Sequence, residues 1–322
     1  MKAIVYRKYG PPDVLELRDV DKPAVEDDEV LVRIHAAATN PYDWHFMRGE
    51  PYFMRLFTGV RAPRARALGA DFAGEVEDTG RNVSEFLIGD KVYGLAGGAF
   101  AEYVSVPANE VAMMPRNLTY EQAAAVPMAG LTALQALRDV GRLERGESVL
   151  IIGASGGVGS FAVQIARAFH ACVTGVCSTG NLDFVRSLGA GHVIDYTQQD
   201  CTETGRKYDL ILQLGGTSSA SHLRRALTPR GRLVLSSGDA RGHWVGPLGR
   251  FVRASMLSPF VTQTLRPVNT QCRKEDLQSL TELIESGRVK PVVAETHTLS
   301  HVPEAIREIE EGHVPGKVVI TV

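Results

Sequence analysis

In the first third of the chain, apolar residues recur in short runs broken by glycine. Val30, Val32 and Ile34 alternate with Leu31, Arg33 and His35, the period-two pattern of a strand. Ala73-Gly74-Glu75-Val76-Glu77 and Phe100-Ala101-Glu102-Tyr103-Val104-Ser105-Val106 read as further strands. Gly89-Asp90-Lys91-Val92-Tyr93-Gly94 reads as a turn entering another. No long amphipathic helix stands out before residue 120, so this part predicts a small barrel-like β domain.

The period changes at Thr119. Thr119 with Gln122 three residues on has the form of a capping box, and a second helix is predicted over residues 130–140. Strands are then expected at 148–152, 171–177, 192–196, 209–214 and 233–236. Helices are expected between them, one marked by Val158, Ala162, Ile165 and Phe169, others over 182–188 and 219–226. Alternating apolar runs and helices imply βαβ units and a parallel sheet. Leu277, Leu280, Leu283 and Ile284 put one apolar face on a helix over 275–285. The tail returns to strand, helix, strand and is expected to rejoin the first domain. The fold class is α/β, with a β-rich domain of residues 1–121 and 289–322 around a doubly wound domain of residues 122–288. No internal repeat interrupts this reading.

The 35 Lys and Arg against 37 Asp and Glu leave a net charge of −2, which argues against nucleic acid or anionic lipid as the main partner. No apolar stretch is long enough to span a membrane, and the first residues lack a signal-peptide core. Cys172, Cys177, Cys201 and Cys272 form no Cys-x-x-Cys pair, so neither a disulfide framework nor a zinc knuckle is expected and a cytoplasmic location fits.

The sharpest chemical signal is Gly153-Ala154-Ser155-Gly156-Gly157-Val158-Gly159, between an expected strand and an expected helix. In that context it reads as a dinucleotide fingerprint with Ala154 in the first glycine slot. Gly156 lets the backbone approach a pyrophosphate, and Gly159 lets helix and strand pack closely. The helix amino end supplies free N–H groups and a positive dipole end. A glycine turn that binds nothing is the competing reading. The strand after this loop ends at Cys177 and continues Ser178-Thr179-Gly180-Asn181, with no acid before Asp183. Hydroxyl and amide donors there admit a 2′-phosphate that a carboxylate would repel, so NADPH is the expected cofactor.

With these features the chain resembles the zinc-free, quinone-oxidoreductase-like members of the medium-chain dehydrogenase/reductase superfamily. The resemblance runs along essentially the whole chain. It is carried by Ala37-Ala38-Thr39-Asn40-Pro41-Tyr42-Asp43-Trp44, Gly69-Ala70-Asp71-Phe72-Ala73-Gly74-Glu75-Val76, Gly89-Asp90-Lys91-Val92-Tyr93-Gly94, the loop around Gly156, and Gly316-Lys317-Val318-Val319. It implies a GroES-like catalytic domain, a Rossmann domain and a homodimer formed through the Rossmann sheet edge. Zinc-dependent relatives have a cysteine where Asn40 stands and Gly-His-Glu where Gly69-Ala70-Asp71 stands, so no metal is expected.

The same resemblance assigns residues. Asn40 and Asp43 would border the nicotinamide, and Thr132 its ribose and phosphate. Ser155, Gly156, Gly157 and Val158 would hold the pyrophosphate; Ser178, Asn181 and Tyr196 would meet the adenosine 2′-phosphate. Leu214, Gly215, Ser236 and Ser237 would face the cofactor from strand ends. Lys317 would reach the phosphates, or else be a solvated strand-end lysine. The implied activity is NADPH-dependent hydride transfer to a small electrophile, a quinone or α,β-unsaturated carbonyl, whose own conjugation takes up the charge without a metal. Tyr52 is the candidate proton donor and Tyr42 a second, with solvent and a purely structural role for both as alternatives. A zinc-independent alcohol dehydrogenase and a non-catalytic NADPH-binding regulatory or structural protein remain the competing functions. Residues 242–260, with Trp244, Phe251 and Phe260 around Arg250 and Arg253, are expected to form a cleft wall rather than a membrane or partner contact.

Overall fold

The computed structural model describes residues 1–64, 67–236, 262–312 and 314–322. Ser237 and the apolar segment 242–260 lie outside the described residues. The chain divides into two compact units: residues 1–131, 271–286 and 291–322, and residues 132–270 with 287–290.

The first unit opens with a hairpin of β1 (Lys2–Val5) and β2 (Glu16–Asp19). β3 (Glu29–Ala38) leads through Thr39 and Asn40 into α1 (Pro41–Arg48). Pro41 at the first helical position has the backbone angle a helix start needs, and Gly49, at φ 60°, ends the helix left-handed. The short α2 (Arg55–Thr58) precedes β4 (Asp71–Thr79), β5 (Lys91–Leu95), β6 (Tyr103–Pro107) and β7 (Val111–Met113). α3 (Tyr120–Ala124) begins at the expected Thr119 cap, whose side chain accepts from the Gln122 N–H. α4 (Pro127–Gln135) starts earlier than the sequence suggests and relaxes into a wider turn over Ala136–Val140.

The second unit is a six-stranded parallel sheet. β8 (Ser148–Ile152), α5 (Gly157–Ala168), β9 (Cys172–Cys177), α6 (Leu182–Ser187) and β10 (His192–Asp195) form one half. β11 (Tyr208–Gln213), α7 (Ala220–Leu223), β12 (Leu227–Leu235) and β13 (Thr264–Pro267) form the other. The spatial order is β10-β9-β8-β11-β12-β13, all parallel. Counted along the sheet this is 3-2-1-4-5-6, the order of dinucleotide-binding sheets. Leu150, Ile211, Leu233 and Leu235, near-continuous apolar runs in sequence, fill its core.

α8 (Lys274–Glu285) buries Leu277, Leu280, Leu283 and Ile284, the face its periodicity marks. It groups with the first unit, inside the span expected for the doubly wound domain. β14 (Val293–Thr298), α9 (Val302–Glu311) and β15 (Lys317–Thr321) complete the first unit. β15 pairs antiparallel with β3 and parallel with β14 in a sheet ordered β14-β15-β3-β4-β5-β7, with β6 also on β3. The chain's last strand therefore lies beside residues 36–38, just before Thr39 and Asn40.

Candidate active site

The glycine loop sits at the carboxyl end of β8, where the strand order reverses between β8 and β11. Crevices at such switch points are where open parallel sheets bind ligands. Gly153 takes φ +85°, and both Gly153 and Ala154 donate backbone N–H to Val176 O of β9, at 3.1 and 3.0 Å. A Cβ on Gly159 would stand 2.0 Å from Gly153 O, so this residue lets helix and loop touch. A Cβ on Gly156 would meet nothing nearer than Gly153 O at 3.6 Å. Gly156 is the N-cap of α5 and supplies no side-chain cap, which leaves the first helical N–H groups to a ligand. The residues here fit a pyrophosphate.

Leu214 follows β11, its N–H bonded to Ile152 O at 3.0 Å; Ser236 follows β12, its N–H bonded to Gln213 O at 3.0 Å. Gly153 and Gly215 stand close, the Gly215 nitrogen 3.3 Å from a Cβ built on Gly153. Ser155, Gly156, Gly157, Val158, Leu214, Gly215 and Ser236 are thus gathered along adjacent strand ends. Gln213 joins them, a residue spacing did not reveal. It is fully buried, its Nε2 donates to Ser218 O at 3.1 Å, and its Oε1 has no partner among the described residues. A buried acceptor at that point calls for a donor. Ser178, Asn181 and Tyr196 share the next strand ends: Asn181 Nδ2 donates to Ser178 Oγ at 3.2 Å, and Tyr196 is well exposed. Thr132 is buried at the start of this unit, its Oγ1 2.8 Å from Thr270 Oγ1.

In the first unit, Asn40, Asp43 and Lys317 meet Asp71, and all four are buried. Lys317 Nζ donates to Thr39 O at 2.8 Å, Asn40 Oδ1 at 2.6 Å and Asp71 Oδ2 at 2.9 Å. Three protons meet three acceptors, so the ammonium is fully occupied. Lys317 is thus buried rather than solvated, with its ammonium turned to Thr39, Asn40 and Asp71. Asn40 Nδ2 donates to Asp71 Oδ2 at 3.0 Å, and the Met128 N–H donates to Asp71 Oδ1 at 2.8 Å. Asp43 accepts from the Asn40 N–H at 2.7 Å and the Gly69 N–H at 3.1 Å, tying the start of α1 to the residues before β4. Burial pushes the Asp43 carboxyl up to about 7; Asp71 raises it further, while the two N–H donors and Lys317 pull it down.

An amide, two carboxylates and an ammonium converge at Asn40 and Asp71, two positions that the resemblance aligns with the zinc-ligand motifs of zinc-dependent relatives. A fixed ammonium in the middle of that set does not fit a tetrahedral zinc ion. Among the described residues one group has the chemistry for a metal, the trio Glu295, His297 and Glu308 near the surface. There His297 Nε2 lies 3.0 Å from Glu308 Oε2, at hydrogen-bonding distance.

Tyr52 begins a short 3₁₀ turn over Tyr52–Met54. The Arg55 guanidinium stands 4.6 Å from the centre of its ring and 4.6 Å from that of Tyr9, fixing the ring's position. The Tyr42 ring packs tilted against Phe46, with centroids 4.1 Å apart, and keeps 40% exposure.

Comparison with known proteins agrees with this architecture. Residues 26–116 match the alcohol dehydrogenase GroES-like domain and residues 188–320 the family described as zinc-binding dehydrogenase. The chain is 31% identical to a chloroplast envelope quinone oxidoreductase homolog of Arabidopsis thaliana, over 99% of this chain and 98% of the relative. It is 33% identical to an NADPH-dependent alkenal/one oxidoreductase of the same plant, over 99% of this chain and 79% of the relative. The solved structure of the Coxiella burnetii quinone oxidoreductase superposes with a TM-score of 0.88 at 30% identity, covering 100% of this chain and 99% of that one. Sheet order, glycine loop and whole-length similarity together place the chain in the medium-chain dehydrogenase/reductase superfamily, among its quinone-oxidoreductase-like members.

Proposed function

We propose that this protein is an NADPH-dependent reductase of quinones or α,β-unsaturated carbonyls that works without a metal. The observation that carries the reading is the open helix amino end at the switch point of a 3-2-1-4-5-6 sheet, in a chain similar along its length to quinone and enone reductases. The bound cofactor supplies a hydride. The chain's own residues bind and orient. Gly157 and Val158 offer backbone N–H groups to the pyrophosphate, with Ser155 beside them. Gln213 Oε1 offers a buried acceptor next to Gly215 and Ser236. Ser178, Asn181 and Tyr196 offer neutral donors to the adenosine ribose and its phosphate. Lys317 and Asp71 fix the Asn40 amide, and Asp43 fixes the backbone beside it, so this corner holds one geometry through a catalytic cycle. The acceptor's conjugated carbonyl delocalises the incoming charge, which removes the need for a Lewis acid. Tyr52 is the proposed proton donor to the reduced product.

The proposal extends to a homodimer, formed through an edge of the parallel sheet where β10 or β13 lacks a second partner strand among the described residues. It also extends to a reducing compartment such as the cytoplasm, in keeping with four free cysteines. No described helix is long and apolar enough to cross a membrane.

The test is NADPH consumption by purified protein against quinones, enals, enones and alcohols, with a chelator throughout. Acceptor-dependent, chelator-insensitive turnover with the first three classes is expected. NADPH binding without turnover in any acceptor would establish the non-catalytic alternative.

A further inference from the structure

Spacing along the chain shows no acid at the ribose turn, but the fold supplies one from the neighbouring strand. Asp195, the last residue of β10, stands in register with Cys177, the last residue of β9. The turn Thr179–Asn181 follows after Ser178. Thr179 Oγ1 donates to Asp195 Oδ2 at 2.5 Å. The Thr197 N–H and Oγ1 donate to Oδ1 at 2.9 and 2.8 Å. These bonds, that from Thr179 first, hold the carboxyl below the usual aspartate range, so it is ionised at neutral pH. No Lys or Arg occurs in residues 178–181 or 195–198 to balance it. These two segments thus carry neutral donors and one fixed negative charge, on the side of the cofactor where NADPH bears a 2′-phosphate and NADH a hydroxyl.

We propose that Asp195 is a specificity-determining residue, which disfavours a 2′-phosphate at this turn and lets the protein use NADH alongside NADPH. The proposal rests on the reading that the Gly156 loop binds a dinucleotide. Repulsion between the carboxylate and a phosphate offsets what Ser178, Asn181 and Tyr196 contribute by hydrogen bonding. The acid is not the usual ribose acid at the end of the second strand. It belongs to the third and acts on the turn through Thr179.

The decisive experiment isolates this end of the cofactor and needs no turnover. Calorimetric titration of 5′-AMP and 2′,5′-ADP compares two ligands that differ only in the 2′-phosphate. The wild type is expected to bind them within about tenfold of each other. D195N keeps an acceptor for Thr179 and is expected to tighten 2′,5′-ADP about fivefold while 5′-AMP stays within about twofold. An unchanged affinity ratio in D195N overturns the proposal. A second measurement uses the wild type alone, raising salt from about 20 to about 300 mM. If Asp195 governs the turn, 2′,5′-ADP loses no more affinity than 5′-AMP; a steeper loss reveals a recruiting cation and overturns the proposal. Failure of both nucleotides to bind removes the dinucleotide reading itself. Tight binding with an unchanged D195N ratio removes only the role of Asp195.

Discussion

At the amino end of α5 the chain offers unpaired backbone N–H groups to a ligand, whereas at the start of α1 it closes its polar groups on one another. Both regions follow a strand and open a helix. The first uses glycine and leaves the helix uncapped; the second uses Asn40, Asp43, Asp71 and Lys317 and buries them. The first is built to receive charge from outside. The second carries its own cation, and with it a cost of desolvation that its internal hydrogen bonds must offset. The lesson is that a binding corner and a positioning corner differ in where their hydrogen-bond partners come from.

The largest expected effect breaks the closed region. Lys317→Met removes the cation and leaves Asp71 buried with only the Asn40 amide and the Met128 N–H for partners. Chemical denaturation should show a loss of about 3–5 kcal/mol. A loss below about 1 kcal/mol would mean that water takes the ammonium's place. Next is Gly159→Ala, whose methyl would stand 2.0 Å from a backbone oxygen. It should destabilise by about 2–3 kcal/mol, read as a drop in Tm, since backbone and not a flexible side chain must move.

Asp43 sharpens the comparison through pH. Its folded-state pKa of about 7 lies above the unfolded value, so the native state keeps a proton that the unfolded chain releases. That contribution is complete below about pH 4 and is lost as pH rises through about 7. The Asn40 and Gly69 N–H groups bond this carboxyl, and the charges of Asp71 and Lys317 act on it through space. Asp43→Asn has no such proton. The stability of wild type minus variant should therefore fall between pH 4 and pH 8, by at most about 1.4 kcal/mol per pH unit. A difference that rises with pH would assign Asp43 an ionised ground state throughout.

The smallest effect belongs to the open region. Gly156→Ala places a methyl whose nearest neighbour beyond the adjoining residues is Gly153 O at 3.6 Å, so Tm should hardly change. NADPH affinity should fall about tenfold, as the methyl occupies the phosphate's approach. Equal Tm losses for Gly156→Ala and Gly159→Ala would erase the distinction between a ligand-facing and a packing glycine.

These differences track what a sequence can disclose. The strand at Ser148–Ile152 and the loop after it were legible because apolar run, glycines and helix are contiguous and obey local rules. The α8 face was legible for the same reason, but what covers it was not, since periodicity marks a buried face and not its neighbour. Asp71 reads as one acid in an apolar stretch, and its partners Asn40 and Lys317 lie 31 and 246 residues away. The ammonium's burial follows from β15 pairing with β3, a contact no local pattern announces. Asp195 was missed because the expected acid belongs to β9, while this one reaches the same turn across the sheet from β10.

The central claim is direct reduction of a conjugated acceptor by a cofactor held at the α5 amino end. Its sharpest test is an enone reaction run with NADPH deuterated at the transferring position of C4, with the product read by mass spectrometry and NMR. The account predicts one deuterium at the carbon β to the carbonyl for each cofactor oxidised. Product free of label, or a labelled alcohol with the double bond intact, would contradict it.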